Sequence, residues 1–215
     1  ESRIDNLDTL IHHLGLTGNI TLVLHDWGGM IGMGWASRHP QQVRRLVLLN
    51  TAAFRLPSSK KIPWQIGIIR NTPLGSFLVQ RLNAFLLGLV HTCVVQRLLP
   101  EVRAGYLAPY RSYMDRLAVL RFVQDIPLKP GDPSYSLVRS IEEGLGRFRG
   151  IPVLIAWGRR DFVFDDSFLA EWQKHLPQAE VHVFEDAAHL VLEDAGDRIV
   201  PLVRDFLARH PVDRP

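Results

Sequence analysis

Strand-length runs of aliphatic residues alternate with amphipathic segments in both terminal parts of the chain. Four runs are rich in β-branched and aliphatic side chains and predict buried strands: residues 20–25, 45–50, 151–157 and 180–184. Apolar positions recur at helical spacing in residues 1–14, 27–39, 167–175 and 197–209. Strands that are apolar throughout and joined by helices are typical of parallel sheets covered on both faces. The pattern therefore predicts an α/β fold with a mostly parallel sheet.

The pattern changes in the middle of the chain, where segments rich in Pro and Arg contain no convincing buried strand. We interpret this part as a helical cap inserted between the second and third strands. The predicted organisation is a first part of the core in residues 1–51, a cap in residues 52–149 and a second part of the core in residues 150–215. The apolar run at residues 84–99 predicts a long cap helix. Polar residues interrupt this run, so it falls short of the roughly 18 apolar residues that span a bilayer.

The amino-acid composition limits the classes of function that are open to this chain. Hydrophobic residues make up 47% of the chain and charged residues 22%, which is ordinary for a soluble globular protein. The formal net charge is +3, but the basic residues are scattered and not interleaved with aromatic ones, which argues against nucleic-acid binding. Cys93 is the single cysteine, so an internal disulfide is excluded and a buried core position is expected. With no signal peptide or spanning segment in the pattern, we expect a cytoplasmic protein that is not transmembrane.

The junction between the first predicted strand and the following helix carries the clearest chemical signal. Asp26 stands at this junction. A nucleophile elbow needs a sharp turn that exposes its side chain above the sheet, with small residues that let strand and helix approach. Gly28, Gly29 and Gly32 meet that need, whereas Leu24 departs from the Gly that serine hydrolases usually carry two positions before the nucleophile. An ordinary helix N-cap is the alternative role for the aspartate, but a cap does not explain the glycines on the helix side.

A carboxylate at an elbow can attack an electrophilic carbon and form an ester intermediate. Two further residues complete a triad in the chain order nucleophile, acid, base. Asp161 follows the third predicted strand and His189 follows the fourth, at the carboxyl ends where sites of α/β proteins gather. Asp165 and Asp166 are rival acids, and a loop cap or a surface ion pair is the alternative role for Asp161. The second strand ends in Asn50 rather than in a carboxylate, which argues against an acid there.

These motifs resemble those of the haloalkane dehalogenases, one branch of the α/β-hydrolase fold, with the epoxide hydrolases as cousins. The motifs that carry the resemblance are His25-Asp26-Trp27-Gly28-Gly29, Trp157-Gly158-x-x-Asp161 and the loop of His189. Parts of the predicted cap are similar too, namely Tyr106-x-x-Pro109-Tyr110, Phe122 and Ile126-Pro127. A second set resembles more closely a sister family, the β-lactone decarboxylases of bacterial long-chain olefin biosynthesis: Asn50-Thr51-Ala52-Ala53-Phe54, Pro63-Trp64-Gln65 and Gln124-Asp125-Ile126-Pro127. The resemblance covers nearly the whole chain.

The resemblance to the decarboxylases implies that Asp26 attacks the strained lactone, that His189 and Asp161 assist, and that a cis-olefin and CO₂ leave. The alternatives are a haloalkane dehalogenase with the same triad and an epoxide hydrolase, which needs two ring-opening tyrosines. From a different class, the chain could be an inactive fragment or a ligand-binding relic. No metal or organic cofactor is implied. The implied partners are an apolar or long-chain alkyl substrate and other enzymes of the olefin pathway.

Further expectations concern the surroundings of the triad. The resemblance implies that the Trp27 backbone N–H is an oxyanion donor and that its indole N–H holds a halide or a carboxylate; an aromatic packed under the cap is the alternative. Phe54, Trp64, Phe85 and Tyr110 are expected to line an apolar pocket, with ordinary cap packing as an equal alternative for each. The resemblance also implies earlier strands and a His-Gly-x-Pro loop with a second oxyanion donor. Neither is in the sequence, so we expect an N-terminally truncated fold in which roughly 70–90 residues precede it.

Overall fold

Four strands form a single parallel sheet in the computed structural model, which describes residues 1–212. The strands are β1 (Ile20–Asp26), β2 (Val43–Thr51), β3 (Val153–Gly158) and β4 (Glu180–Phe184). They lie in the order β1-β2-β3-β4, and each neighbouring pair is parallel. All four predicted strands are confirmed, with ends that differ only slightly from the predicted ones. Because every strand runs in the same direction, the carboxyl ends meet at one edge of the sheet.

Helices precede, separate and follow these strands. The α-helices of the described residues are α1 (Ser2–His13), α2 (Trp27–Arg38), α3 (Trp64–Asn71), α4 (Pro73–Gln80), α5 (Ala84–Thr92), α6 (Pro100–Leu107), α7 (Leu117–Gln124), α8 (Tyr135–Gly144), α9 (Asp166–His175) and α10 (Val191–Arg209). Short 3₁₀ turns lie at Pro40–Gln42, Ala108–Tyr110 and Leu145–Phe148. The four predicted helices of the core correspond to α1, α2, α9 and α10.

Two helix ends differ from the prediction. A short helical turn that begins at Val191 precedes the longer last helix, and the non-helical backbone of Ala195 (φ −139°, ψ 20°) separates the two parts of α10. The run predicted as one helix over residues 84–99 is helical only from Ala84 to Thr92. Beyond it, the backbone N–H groups of residues 95 and 96 bond to the carboxylate of Asp194 instead of to helical carbonyl groups. The prediction of one long cap helix was therefore wrong.

Alternate residues of the central strands point to opposite faces of the sheet. Leu46 and Leu48 of β2 pack into a core with α1, α2, α8 and α9, whereas Val47 and Leu49 pack on α10. These four leucine and valine side chains are at most 2% exposed. Burial on both faces explains why residues 46–49 of β2 and residues 153–157 of β3 are apolar throughout, and it confirms the prediction of a covered parallel sheet.

Six α-helices, α3 to α8, lie between β2 and β3, and no strand lies there among the described residues. Ile69 of α3, Val79 of α4, and Leu120 and Val123 of α7 form a small apolar cluster of their own. No single helix of the described part is long and apolar enough to cross a membrane, although α4 and α5 pass the length and composition test as a pair bent by 72°. The limits assigned to the cap and to the two parts of the core stay predictions.

Candidate active site

Asp26 lies at a sharp turn between β1 and α2. Its backbone has φ +50° and ψ −126°, a conformation that is strained for any residue other than glycine. The pairing of β1 with β2 shifts register at this point. Close packing behind the turn requires glycine at position 29, where a Cβ would lie 2.0 Å from the Thr51 hydroxyl oxygen and 2.5 Å from the Ala52 carbonyl oxygen. A Cβ on Gly32 would lie 2.4 Å from a Leu24 methyl carbon. This geometry is that of a nucleophile elbow.

The structure differs in two details from the predicted elbow. Gly28 has no neighbour within 4 Å of the place where a Cβ would lie, so close packing does not require glycine there and that part of the prediction was wrong. Leu24, which takes the place of the usual glycine, is accommodated because Gly32 leaves space for its methyl groups. The Asp26 side chain makes no capping hydrogen bond to α2, which removes the ordinary N-cap role. Its side chain is 44% exposed and is therefore free to meet a ligand.

His189 and Asp161 lie behind this carboxylate, as the positions of their strands predict. The Nδ1–H of His189 donates to Oδ2 of Asp161 at 2.8 Å, and Nε2 lies 4.0 Å from Oδ1 of Asp26. The side chains of His189 and Asp161 are 6% and 0% exposed. The three residues therefore have the arrangement of a nucleophile, an orienting acid and a base between them.

The Asp161 carboxylate is saturated with hydrogen bonds. Its Oδ1 accepts from the backbone N–H groups of Val163 (2.7 Å) and Phe164 (3.1 Å). Its Oδ2 accepts from His189 and, at 3.1 Å, from the Asn50 amide. A carboxylate with four donors is held in one orientation, so the imidazole that it binds is oriented as well.

The surroundings of His189 and His25 shift the pKa values of the two histidines in opposite directions. Burial by itself lowers the pKa of His189, but the hydrogen bond and charge of Asp161, with the charge of Asp26, outweigh burial and leave the pKa raised. Burial lowers the pKa of His25, and the neighbouring His189 lowers it further. The His25 Nε2–H donates to the backbone carbonyl of His189 at 2.8 Å. A neutral His25 thus supports the loop of a histidine that gains a proton easily.

Sequence reasoning missed two residues that support the acid. Asn50 is fully buried; its amide donates to the Gly158 carbonyl (2.9 Å) as well as to Asp161, and its Oδ1 accepts from the Gly158 N–H at 2.7 Å. A Cβ on Gly158 would lie 2.5 Å from the Ala188 carbonyl oxygen, so glycine lets the loops of the acid and the base approach each other. A polar Asn at the end of an otherwise apolar strand was the signal that could have identified the first residue.

The rival acids have other partners. Asp165 caps α9 by accepting from the Ser167 N–H, and it pairs with Lys60 at 2.7 Å. Burial raises the pKa of Asp165, but these partners outweigh burial and leave it lowered. Asp166 is exposed and lies 3.4 Å from Arg159. Among the three aspartates, only Asp161 contacts His189 in the described part of the chain.

A cavity of about 740 Å³ contains the exposed face of this site, since its wall includes Asp26 and His189. Most of the wall consists of apolar side chains, which come from α3, α4, α5 and α7, from the segments after β2 and after α7, and from the loop after β3. Cys93 is buried and also lies in this wall. Lys60 borders the cavity, although its charge is paired with Asp165. Such a wall favours an apolar ligand, with about 0.8 kcal/mol for each CH₂ group buried.

The residues predicted to line a pocket all border this cavity, but in different ways. Trp27 lies beside Asp26 as the first residue of α2 and packs on Phe122, with ring centroids 5.3 Å apart. Its backbone N–H is at the start of a helix, where such groups have no helical acceptor. Phe54 is only 2% exposed and packs on Trp172 in the core, whereas Trp64 is 71% exposed at the outer end of the wall. Contact of Trp27, Phe54, Trp64, Phe85 and Tyr110 with a substrate stays a prediction.

The arrangement can carry out nucleophilic substitution by a carboxylate in an apolar environment. In such a reaction Asp26 could act as the nucleophile, the N–H at the start of α2 could donate to a developing negative charge, and His189 could hold or remove a proton. A second donor for that charge is not evident among residues 1–212. The site as described therefore suits an electrophilic carbon on an apolar molecule.

Known proteins resemble this chain in both sequence and structure. A family model described as the alpha/beta hydrolase fold matches residues 4–196. The chain is 50% identical over 212 residues to a cis-3-alkyl-4-alkyloxetan-2-one decarboxylase of Xanthomonas campestris, covering 99% of the chain and 71% of that protein. It is 48% identical over 208 residues to a decarboxylase of the same name from Shewanella oneidensis, covering 96% of the chain and 65% of that protein.

A solved structure gives the same fold. The haloalkane dehalogenase DatA from Agrobacterium tumefaciens C58 superposes with a TM-score of 0.83 at 26% identity, covering 97% of this chain and 74% of that one. The sequence resemblance to the decarboxylases and the more distant resemblance to the dehalogenases are both confirmed.

Proposed function

The chain belongs to the alpha/beta hydrolase fold family, and we propose that it is the catalytic part of a β-lactone decarboxylase that converts cis-3,4-dialkyl-oxetan-2-ones to cis-olefins and CO₂. The observation that carries the proposal is the half-exposed Asp26 carboxylate in an apolar cavity, 4.0 Å from a buried histidine. Similarity to two proteins named for this reaction supports the choice of substrate. The chain spans 71% and 65% of those proteins, and the activity is proposed for the whole protein.

The proposed reaction has two steps. In the first, Asp26 attacks the alkyl-bearing ring carbon that is bonded to the ring oxygen, not the carbonyl carbon. An ester bond to Asp26 forms, and the bond between that carbon and the ring oxygen breaks to release a carboxylate on the substrate. In the second, the bond between that carboxylate and the neighbouring ring carbon breaks and CO₂ leaves. The electron pair forms the C=C bond, and the ester bond to Asp26 breaks to restore the aspartate. One lactone gives one olefin and one CO₂, and no water is consumed.

The stereochemistry follows from the same steps. Attack inverts the configuration at the ring carbon and places Asp26 opposite the new carboxylate, which is the alignment that elimination requires. Departure of both groups from opposite sides then leaves the two alkyl chains on the same side of the double bond. A cis-lactone therefore gives a cis-olefin.

His189 and Asp161 have electrostatic roles in this scheme. The raised pKa of His189 favours its imidazolium form, whose charge lies close to the Asp26 carboxylate and to the carboxylate formed on ring opening. Asp161 balances that charge and keeps Nε2 directed at Asp26. The Trp27 N–H at the start of α2 supplies a further donor for the same negative charge. An apolar wall suits the reaction because no water molecule has to be bound or activated.

The test of this proposal is an isotope experiment on the native protein in H₂¹⁸O with a long-chain cis-β-lactone. Decarboxylation should give olefin and CO₂ and should leave the Asp26 peptide without ¹⁸O, as measured by mass spectrometry after many turnovers. Asp26→Asn should give no olefin, and the exposed control Asp166→Asn should match the wild type. Accumulation of ¹⁸O in the Asp26 carboxyl group with the lactone would mean that water cleaves the ester and that the proposed second step is wrong.

A haloalkane dehalogenase is the second candidate, supported by the structural similarity to DatA. The same Asp26 would displace a halide, and water activated by His189 would then cleave the ester. His189→Gln should trap this ester with a 1-haloalkane, and Asp26→Ala should abolish the adduct in intact-protein mass spectrometry. Halide release that is faster than olefin formation would favour this candidate. The epoxide hydrolase has less support, because only Tyr110 of the four tyrosines borders the cavity.

A further inference from the structure

Asp194 is a buried carboxylate with an unusual set of partners. It is 7% exposed and lies in the short helical turn of α10 before the break at Ala195. Its oxygens accept hydrogen bonds from the backbone N–H groups of Val95 (3.0 Å to each oxygen), Gln96 (3.0 Å) and Ala188 (2.9 Å). No cationic side chain pairs with it among residues 1–212. A carboxylate is kept in such a position only when donors satisfy it, so the three N–H groups explain its burial.

The three donors belong to two separate segments. Val95 and Gln96 lie in the loop between α5 and α6, which is part of the helical region formed by α3 to α8. Ala188 lies in the loop after β4 and directly precedes His189. Asp194 therefore joins the helical region to the loop that carries the candidate base.

A second hydrogen bond strengthens the same connection. The backbone N–H of Leu190 donates to the carbonyl of Cys93 at 2.9 Å. The residues on both sides of His189 are thus bonded, one through Asp194 and one directly, to residues 93–96. Because Cys93 lies in the cavity wall, this part of the wall and the backbone of His189 form one connected unit.

We infer that Asp194 is a positioning residue: it sets the place of His189 relative to Asp26 and Asp161 and links it to the segment of residues 93–96 in the cavity wall. A carboxylate suits this role because its two oxygens accept from both segments at once. An amide of the same shape has one accepting oxygen and one NH₂ group, which would face an N–H donor and repel it. The inference rests on the proposed role of His189.

The experiment compares Asp194→Asn with the matched control Asp197→Asn in the native protein. Asp197 lies on the same helix and is 86% exposed, and its one charged contact among residues 1–212 is to Arg198 at 4.0 Å. Asp194→Asn should lower kcat by up to about 100-fold, since a displacement of about 1 Å can have that effect, and should raise KM because the cavity wall loosens. Asp197→Asn should leave both unchanged. The Nδ1 proton of His189, observed by NMR as a downfield resonance when bonded to Asp161, should shift or disappear only in Asp194→Asn.

The NMR resonance separates positioning from a merely structural role and does not depend on the substrate. If Asp194→Asn melts earlier but keeps the His189 resonance and the wild-type kcat and KM below its melting temperature, Asp194 only stabilises the fold and the inference is overturned. Should Asp194→Asn fail to fold, Asp194→Glu replaces it in the experiment, because it retains both carboxylate oxygens and displaces them by one methylene. The His189 Nδ1 proton resonance should shift in Asp194→Glu, and an unchanged resonance would overturn the inference equally. A moved resonance without activity on any lactone would contradict the proposed function alone.

Discussion

Removal of the Asn50 side chain tests whether the buried amide supports the acid of the site. In Asn50→Ala, the Gly158 N–H loses its acceptor and the Asp161 carboxylate loses one of its four donors. The Gly158 carbonyl still has a partner, because it also accepts from the Asp161 N–H at 3.3 Å. The substitution thus leaves one buried N–H without a partner and weakens the hold on one carboxylate.

The magnitude follows from these groups. A buried donor without a partner costs about 1–3 kcal/mol, and a hydrogen bond to a charged group contributes about 1.5–3 kcal/mol. Asn50 also has a positive φ of 27°, which adds about 1 kcal/mol when alanine takes its place. The free energy of unfolding should fall by roughly 3.5–7 kcal/mol. For a chain of this size, that corresponds to a decrease in Tm of roughly 7–28 °C.

Calorimetry and urea unfolding measure this loss of stability. The value of kcat well below Tm tests whether Asp161 still fulfils its proposed role when Asn50 no longer donates to it. Asn50→Gly accepts the backbone conformation and should recover about 1 kcal/mol relative to alanine, but not the lost hydrogen bonds. The exposed Asn6 on α1 offers a control, since its side chain makes no hydrogen bond to residues 1–212 and Asn6→Ala should leave Tm within about 1 °C. If Asn50→Ala and Asn50→Gly both unfolded within about 2 °C of the wild type with unchanged kcat, the assigned hydrogen bonds would contribute nothing and the reasoning would fail.

Three further predictions concern the acid, the elbow and the pH dependence. Asp161→Asn should lower kcat by about 10⁴-fold with the fold intact, as for the corresponding change in serine proteases. Asp165→Asn should have a small effect, and a larger loss of kcat in Asp165→Asn than in Asp161→Asn would make Asp165 the acid. Gly29→Ala should abolish the yield of folded protein, because the new Cβ would lie 2.0 Å from the Thr51 hydroxyl oxygen, whereas Gly28→Ala should fold normally. Equal soluble yields and equal circular dichroism spectra of the two variants would contradict the elbow packing. Any haloalkane hydrolysis, which needs neutral His189, should be lost as pH falls through the His189 pKa. In the free protein that pKa is raised because the Asp161 hydrogen bond and charge, with the Asp26 charge, outweigh burial. An NMR titration of His189 in the free protein that gave a pKa below the ordinary value of about 6.5 would show that burial dominates.

The strands, the core helices and the elbow were predictable because their signals are local. Apolar runs of four to seven residues specify buried parallel strands through their own side chains, and a glycine-rich turn after a strand limits what backbone can follow. The positions of Asp26, Asp161 and His189 at strand ends then follow from topology, since parallel strands bring their carboxyl ends to one edge. Each of these inferences needs only neighbouring residues and the direction of the chain.

Tertiary structure alone decided which polar groups meet. Asp161 and Asp165 lie close together in the chain, but only Asp161 bonds to His189 among the described residues. Asp165 pairs instead with Lys60, which is 105 residues away. The early end of α5 depends in the same way on Asp194, which is 99 residues from the backbone N–H of Val95 that it binds. A hydrogen bond forms only within about 3.5 Å, so the partner of a buried polar group is set by how distant segments pack. Hydrophobic periodicity describes a face of one segment and contains no information about which donor on another segment will lie opposite it.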